Sequence, residues 1–228
     1  MYKHFFKRIF DIVSSGMALI VLSPILLYTA YLVKTRLGSP VLFTQIRPGK
    51  DGKLFRMYKF RSMTDERDAE GNLLPDDVRL TEFGKKLRAT SADELPELIN
   101  IFKGDMSVVG PRPQLVRDMV FFTEEEMQRQ SVYPGLTGLA QICGRNNITW
   151  KEKFAFDLQY IKDISFLEDM RIIFRTVFKV SAQEDIATDG METAEDYGDW
   201  LLRTGQIEKE EYDKKQAEAK KMLDEYSI

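Results

Sequence analysis

Histidine and cysteine are nearly absent from this sequence, whose 228 residues contain one of each, His4 and Cys143. A single cysteine excludes an intramolecular disulfide and a zinc site built from several thiolates, and it suits a reducing compartment. A single histidine excludes Ser-His-Asp and Cys-His catalysis. Glycine-rich phosphate loops of the Rossmann and Walker types are missing too. Any chemistry therefore uses carboxylates, lysines, arginines and hydroxyl groups.

Charge is distributed unevenly along the chain, although the formal net charge is only −3. Residues 1–63 carry 11 basic and 2 acidic side chains, whereas residues 183–228 carry 6 basic and 14 acidic ones. The basic first quarter predicts contact with phosphate groups or an anionic membrane surface, and the acidic end predicts a solvated appendage. No nucleic-acid partner is expected, because the positive charge lies beside an apolar run.

The longest uncharged run covers 22 residues, from 12 to 33. A helix rises about 1.5 Å per residue, so this run could reach across the hydrocarbon core of a bilayer. Both flanks are basic, whereas a spanning helix is expected to have its cationic flank on one side. Ser23 and Pro24 fall in the middle, where proline breaks helical hydrogen bonding. We therefore predict a re-entrant membrane helix-break-helix over residues 1–36, with a kinked spanning helix as the alternative.

Residues 41–46 and 54–60 flank a turn rich in glycine and proline, which predicts a β-hairpin. Period-two spacing puts Lys59 and Arg61 on the same face of its second strand. Helices are expected at 79–88, 93–103, 113–130, 150–162 and 166–181, with Gly104 ending the second. The predicted fold class is α-dominant α+β, with amphipathic helices and a small hairpin in a main domain over residues 37–185.

The remaining segment, residues 186–228, interleaves Glu, Asp and Lys around a helical stripe of apolar residues. A turn at Thr204 and Gly205 predicts a pair of short helices. The stretch from Leu201 to Leu223 resembles the short C-terminal helical hairpins known as SHOCT modules, which implies a role in homo-oligomerisation or in docking a pathway partner. A solvated amphipathic tail is the alternative.

Two adjacent carboxylates, Asp93 and Glu94, stand at an expected helix start. Ser91, three residues before Glu94, matches a capping box, and on these residues alone that structural interpretation is favoured. Arg88 lies upstream, and Arg112 lies downstream between two prolines that fix its backbone. Cations on rigid turns near a carboxylate pair suit a diphosphate, which needs bidentate arginine contacts and a divalent metal during transfer.

Five separated stretches carry a resemblance to a known family. They are Lys7-Arg8 with Asp11, Ser23 and Pro24; KFRSM at 59–63; DELP at 93–96 with Asn100 and KGDMS at 103–107; VGPRP at 109–113; and PGLTGLAQ at 134–141, followed by GRN at 144–146, Asp157 and Tyr160. With these motifs in this order over about residues 1–180, the chain resembles the monotopic bacterial phosphoglycosyl transferases, the initiating sugar transferases of glycan assembly.

The resemblance implies transfer of a phosphosugar, with an N-acetylated amino sugar expected, from a UDP-sugar to undecaprenyl or another polyprenol phosphate. UMP would be released in this first membrane step of polysaccharide or glycoconjugate biosynthesis. It implies further that Asp93 attacks the phosphorus to form a covalent intermediate, that Glu94 assists, and that Mg²⁺, ligated in part by Asp93, screens the diphosphate. The implied location is the cytoplasmic face of the bacterial inner membrane, in contact with membrane lipid.

The same resemblance implies a set of cationic and polar groups around the substrate. Arg88 and Arg112 are the expected phosphate clamps. The further substrate-binding residues are Lys59, Arg61, Arg145 and Asp157. Loop 134–141 is expected to shape the nucleotide pocket. Two alternatives stay open: the cations of the hairpin could face anionic headgroups, and Arg145 and Asp157 could form a structural ion pair.

Two other classes of function remain open on sequence alone. A non-catalytic membrane scaffold of a glycan pathway would keep this fold, and it predicts that Asp93→Asn leaves function intact. A receptor or sensor anchored by a true spanning helix would place the two basic flanks on opposite sides of the membrane.

Overall fold

The computed structural model describes residues 1–144, 148–182 and 195–226. The first half of the chain begins with a π-helical turn at Tyr2–Phe6. Its further elements are α1 (Lys7–Val21), α2 (Ser23–Arg36), β1 (Leu42–Pro48), β2 (Leu54–Phe60), α3 (Asp76–Arg79), α4 (Glu82–Ala89), a 3-10 turn at Ala92–Glu94, α5 (Glu97–Lys103) and β3 (Ser107–Val109). The others are α6 (Val116–Met119), α7 (Glu124–Met127), a 3-10 turn at Gln128–Ser131, β4 (Gly135–Thr137), α8 (Leu139–Cys143), α9 (Trp150–Lys162), α10 (Phe166–Ala182), α11 (Tyr197–Arg203) and α12 (Lys209–Tyr226).

Helices α1 and α2 form a pair bent by 64°. The bend lies where Pro24 cannot donate a backbone hydrogen bond, and the Ser23 hydroxyl donates instead to the carbonyl of Ile20 at 2.8 Å. Within the described residues, no single helix is long and apolar enough to cross a membrane, and this bent pair alone meets the length and composition together. The predicted break at Ser23 and Pro24 is confirmed, whereas membrane insertion stays a prediction.

Helix α1 is fixed to the rest of the chain by buried polar contacts. Arg8 donates to the carbonyls of Ile101 at 2.8 Å and Met106 at 3.0 Å, which lie at and just beyond the end of α5. Lys7 Nζ lies 2.6 Å from the carboxylate of Asp169, which is fully buried in α10. Because these contacts join the first helix to the middle and the end of the main domain, α1 is part of the folded body.

Two small sheets organise the middle of the chain. Strands β1 and β2 form the predicted antiparallel hairpin, in which Leu42 pairs with Phe60 and Pro48 with Leu54. Strands β3 and β4 form a parallel pair that the sequence patterns did not predict, because each has only three residues. A Cβ added to Gly135 would lie 2.1 Å from the backbone nitrogen of Gly110, so this close approach requires glycine. Residues 134–141 are therefore largely β4 and α8 and not an open loop.

The helix predictions are partly confirmed. Helices α9 and α10 match the predicted 150–162 and 166–181 to within one residue, and Gly104 ends α5 with a φ of 105°. The helix predicted at 113–130 is wrong: it is broken into α6, α7 and a 3-10 turn, because Thr123 and Glu126 form a capping box that starts a new helix. The helix predicted at 79–88 is confirmed as α4, which begins at Glu82 because the Thr81 side chain caps it, whereas Arg79 is the last residue of α3.

The C-terminal segment is a packed helical pair. Helices α11 and α12 are joined at the predicted turn, where Gly205 has a φ of 68°. Tyr197, Leu201 and Ala219 are 5%, 7% and 1% exposed and belong to a core cluster with residues of α6 and α9. The solvated-tail alternative is therefore wrong for residues 195–226. The resemblance to SHOCT modules stays a prediction, and the boundary predicted at 185/186 lies outside the described residues.

Candidate active site

The site forms where the hairpin docks on α5. Asn100, fully buried in α5, accepts a hydrogen bond from the backbone nitrogen of Tyr58 at 3.0 Å and donates to the carbonyl of Arg56 at 2.8 Å. These two bonds fix β2 beside the turn that carries Asp93 and Glu94. Lys59, the next residue of β2, consequently reaches the carboxylates.

Glu94 is the centre of an ion-pair cluster. Lys59 Nζ lies 2.7 Å from Glu94 Oε1, and Arg112 donates to both oxygens of the same carboxylate, with 3.5 Å between Nη1 and Oε2. Burial opposes ionisation of Glu94, but Arg112 and Lys59 prevail and hold its pKa well below its usual range. Glu94 is therefore a charged anchor that orients the two cations.

The capping-box interpretation of Ser91 and Glu94 is wrong. Ser91 has a φ of 54°, in the left-handed region, and its side chain makes no capping hydrogen bond. Asp93 and Glu94 belong to a 3-10 turn, and α5 itself begins only at Glu97, after Pro96. The predicted helix over 93–103 is thus shortened, because proline supplies no backbone donor and is tolerated only where a helix starts.

Asp93 is the one acidic residue of the pair that is not engaged. Asp93 is 8% exposed, and its carboxylate forms no hydrogen bond or ion pair with the described residues. Burial, followed by the charge of Glu94, raises the pKa of Asp93 to about 6, against the opposing charges of Lys59, Arg88 and Arg112. A carboxylate without a partner among the described residues, in the field of three cations, can act as a nucleophile or as a ligand.

Glu97 is a member of the cluster that the sequence reasoning missed. It is 1% exposed, and its Oε1 lies 3.3 Å from Lys59 Nζ without forming a hydrogen bond. Burial, followed by the charge of Glu94, raises the pKa of Glu97 to about 7. Glu97 follows Glu94 by three residues and Asp93 by four. A helical turn places side chains at these spacings on one side of the helix, and this spacing is the sequence signal that could have identified Glu97.

Of the three predicted cations other than Lys59 and Arg112, Arg88 and Arg61 lie within the described residues, and their surroundings differ. Arg88, in α4, donates through Nε to the hydroxyl of Ser62 at 3.0 Å and acts electrostatically on Asp93. Arg61 is directed elsewhere: it pairs with Asp65 and donates to the carbonyl of Ser39 at 3.1 Å. Arg61 therefore holds the link between α2 and β1, and it does not contact Asp93 or Glu94.

Asp157 forms a buried ion pair. Arg129 donates to Asp157 Oδ2 from Nη2 at 2.6 Å and from Nε at 3.1 Å, and both side chains are under 5% exposed. The structural-pair interpretation of Asp157 is thus supported, but with Arg129 as its partner. Arg145 lies outside the described residues. Arg129 Nη2 also donates to the backbone carbonyl of Arg112 at 2.7 Å, so the Arg129–Asp157 pair is in contact with the turn that carries Arg112.

The carboxylate of Asp93 is the group in this cluster that is available to a divalent metal among the described residues. The described part of the chain has no group of three or more His, Cys, Asp or Glu side chains that could hold a metal ion. Mg²⁺ commonly takes one or two protein carboxylates and completes its shell with substrate phosphates and water. The unengaged carboxylate of Asp93 suits that arrangement, whereas Glu94 is already paired with two cations.

The site combines a buried carboxylate with cations of the kind that bind phosphate groups, in a fold that also contains a bent apolar helix pair. The chain belongs to the bacterial sugar transferase family, whose model matches residues 2–183. This confirms the predicted family.

Three relatives illustrate the range of the family. The chain is 50% identical to "Uncharacterized sugar transferase EpsL" of Bacillus subtilis over 83% of this chain and 94% of that protein. It is 45% identical to the UDP-glucose:undecaprenyl-phosphate glucose-1-phosphate transferase of Klebsiella pneumoniae and 39% identical to the undecaprenyl-phosphate galactose phosphotransferase of Salmonella typhimurium. These two matches cover 76% and 79% of this chain but only 40% and 41% of those longer proteins.

Proposed function

We propose that this protein transfers a sugar 1-phosphate group from a UDP-sugar to a polyprenol phosphate and releases UMP. The observation that carries the proposal is the buried carboxylate of Asp93, which forms no hydrogen bond or ion pair with the described residues and is next to Glu94, the carboxylate that pairs with Lys59 and Arg112. The activities for which the Klebsiella and Salmonella relatives are named, both sugar phosphotransfers involving undecaprenyl phosphate, support it. A scaffold would have no need of an ionisable group held in such surroundings.

The proposed reaction has two displacements at one phosphorus. A carboxylate oxygen of Asp93 attacks the sugar-linked phosphorus, the bond from this phosphorus to the bridging oxygen breaks, and UMP leaves with that oxygen. An acyl phosphate then joins Asp93 to the sugar phosphate. An oxygen of the polyprenol phosphate attacks the same phosphorus, which frees Asp93 and forms the polyprenol diphosphate sugar. No water is consumed, and the carboxylate is regenerated.

The cations would hold the diphosphate in place. Arg112 uses part of its guanidinium on Glu94, and its side chain is 38% exposed, which leaves donors free to face a phosphate. Lys59 bridges Glu94 and Glu97, so its ammonium is oriented before substrate binds. Mg²⁺, held by Asp93 and the substrate phosphates, would neutralise charge on the diphosphate during transfer.

The nature of the released nucleotide tests this proposal. With the full chain in lipid nanodiscs, undecaprenyl phosphate and Mg²⁺, we expect at least one of UDP-glucose, UDP-galactose and UDP-N-acetylglucosamine to give UMP and a lipid-linked sugar diphosphate. Sustained turnover should need the lipid phosphate, because the acyl phosphate requires an acceptor. Release of UDP, or no nucleotide release with any of these sugars, would contradict the proposal.

We also propose that α1 and α2 enter and leave one leaflet from the cytoplasmic side of the bacterial inner membrane. Large apolar side chains are exposed on both helices, among them Met17, Ile20, Val21 and Leu27 at 60–76%. An exposed apolar surface of this kind needs a hydrocarbon or protein partner. Because both basic flanks would face the cytoplasm, each can contact anionic lipid.

Sidedness labelling checks this topology. Lys3→Cys and Lys34→Cys, each in a Cys143→Ser background, should react equally with a membrane-impermeant thiol reagent in inside-out vesicles and be protected in right-side-out ones. Labelling of the two positions from opposite sides would establish a spanning helix in place of the hairpin.

A further inference from the structure

The C-terminal helical pair packs directly against the segment that follows the Arg112 turn. The backbone nitrogen of Tyr197 donates to Asp118 Oδ1 at 2.8 Å, and Arg117 pairs with Asp196. Asp118 and Tyr197 are 2% and 5% exposed. The first turn of α11 is therefore buried against α6, which begins three residues after Pro113.

The ring of Tyr197 forms part of an aromatic cluster behind Arg129. Its centroid lies 5.1 Å from that of Phe154 and 5.9 Å from that of Phe122. Those two rings in turn face the guanidinium of Arg129 at 5.6 Å and 5.4 Å. Aromatic faces at these distances attract a guanidinium and exclude water from it.

Arg129 connects this aromatic cluster to the Arg112 turn. Its Nη2 donates to the backbone carbonyl of Arg112 at 2.7 Å, and Nη2 and Nε both donate to Asp157 Oδ2. Arg47 donates to the next carbonyl, that of Pro113, at 3.2 Å. The turn is thus fixed at two consecutive carbonyls, and the Arg112 side chain reaches Glu94 from there.

We propose that Tyr197 and Arg129 are positioning residues through which the C-terminal helical pair holds Arg112 in place for phosphate binding. Only the predicted effect on UMP release rests on the proposed function. The family match ends at residue 183, so residues 195–226 lie beyond the matched region, yet Tyr197 packs against the apolar wall that Phe122 and Phe154 form beside Arg129. Without that wall, water reaches Arg129 and weakens its hold on the Arg112 carbonyl.

The first test does not depend on substrate. In Tyr197→Ala, measured as the full chain in nanodiscs, hydrogen–deuterium exchange should become at least about fivefold faster in peptides that contain Gly110 and Gly135, whose amides donate to the carbonyls of Thr137 and Pro111 at 2.9 Å. Tyr197→Phe, which loses only the bond to Glu126, should exchange like the wild type. Arg203→Ala, which removes an exposed ion pair within the same helical pair, is the matched control.

The second test is a double-mutant cycle on UMP release. Tyr197→Ala should lower kcat by between about 10- and 100-fold in the wild-type background. It should lower kcat by less than about twofold in Arg112→Ala, because the group it positions is already gone. Tyr197→Leu, which keeps most of the apolar volume, serves if Tyr197→Ala does not fold, and it should show the same pattern to a smaller extent.

The inference would be overturned if both Tyr197→Ala and Tyr197→Leu exchanged at the turn like the wild type. It would also be overturned if Tyr197→Ala lowered kcat by the same factor in the Arg112→Ala background as in the wild type. A general loss of folded protein lowers kcat by one factor in every background. Absence of UMP release by the wild type would overturn the proposed function alone, because the exchange measurement needs no turnover.

Discussion

Replacing Asp93 with asparagine should lower the rate of UMP release by on the order of 10³-fold or more. The amide has the size of the carboxylate but cannot form the acyl phosphate, and loss of a covalent nucleophile is among the largest single effects on kcat. The fold should survive, because the Asp93 carboxylate forms no hydrogen bond or ion pair with the described residues. Initial rates at saturating UDP-sugar and undecaprenyl phosphate, compared at equal protein concentration, provide the measurement.

A matched control and a trapping experiment make this result specific. Asp77→Asn removes an exposed carboxylate in α3 and should turn over like the wild type. When polyprenol phosphate is omitted, the wild type should gain the mass of one sugar phosphate on the peptide that contains Asp93, whereas Asp93→Asn should gain none. Normal turnover by Asp93→Asn would favour the scaffold alternative or a different nucleophile.

The start of α9 was predicted correctly, and its local signal has no competitor. Thr149 and Glu152 form a full capping box, and α9 begins at Trp150 as the pattern predicts. Ser91 and Glu94 have the same spacing, but the Glu94 carboxylate pairs with Arg112 and Lys59 instead. Charge-assisted bonds to two cations are stronger than a bond to one backbone donor, so the tertiary partners prevail. The sequence spacing alone contains no sign of that competition.

The site was predictable in kind but not in its connections. The carboxylate pair and two of its cations, Lys59 and Arg112, follow from the motifs, and the structure brings them together. The partner of Asp157 does not follow, because a chain with 33 lysines and arginines offers many candidates and Arg129 is distinguished only by the fold. Arg61 shows the converse: its spacing predicts a strand face shared with Lys59, but β2 ends at Phe60 and Arg61 pairs with Asp65.

Replacing Asp169 with alanine should lower the stability of the folded chain by about 3–5 kcal/mol, because removing one member of a buried ion pair leaves the other charge uncompensated. Asp169 is fully buried and accepts bonds from Tyr2, Lys7 and Tyr160 at 2.6, 2.6 and 2.7 Å. Thermal unfolding in detergent should show a midpoint roughly 10 °C lower. Glu168→Ala, which removes a partly exposed pair with Arg171, should change stability by less than about 1 kcal/mol.

The double variant Lys7→Met with Asp169→Ala separates the cost of an unpaired charge from the loss of the tyrosine hydrogen bonds. If the unpaired ammonium is the main cost, the double variant should be clearly less destabilised than the sum of the two single variants. Simple addition of the two effects would instead assign the cost to the hydroxyls of Tyr2 and Tyr160. Because Asp169 joins α1 to α9 and α10, a large coupling would mean that the Lys7–Asp169 ion pair is a main link between the apolar helix pair and the rest of the fold.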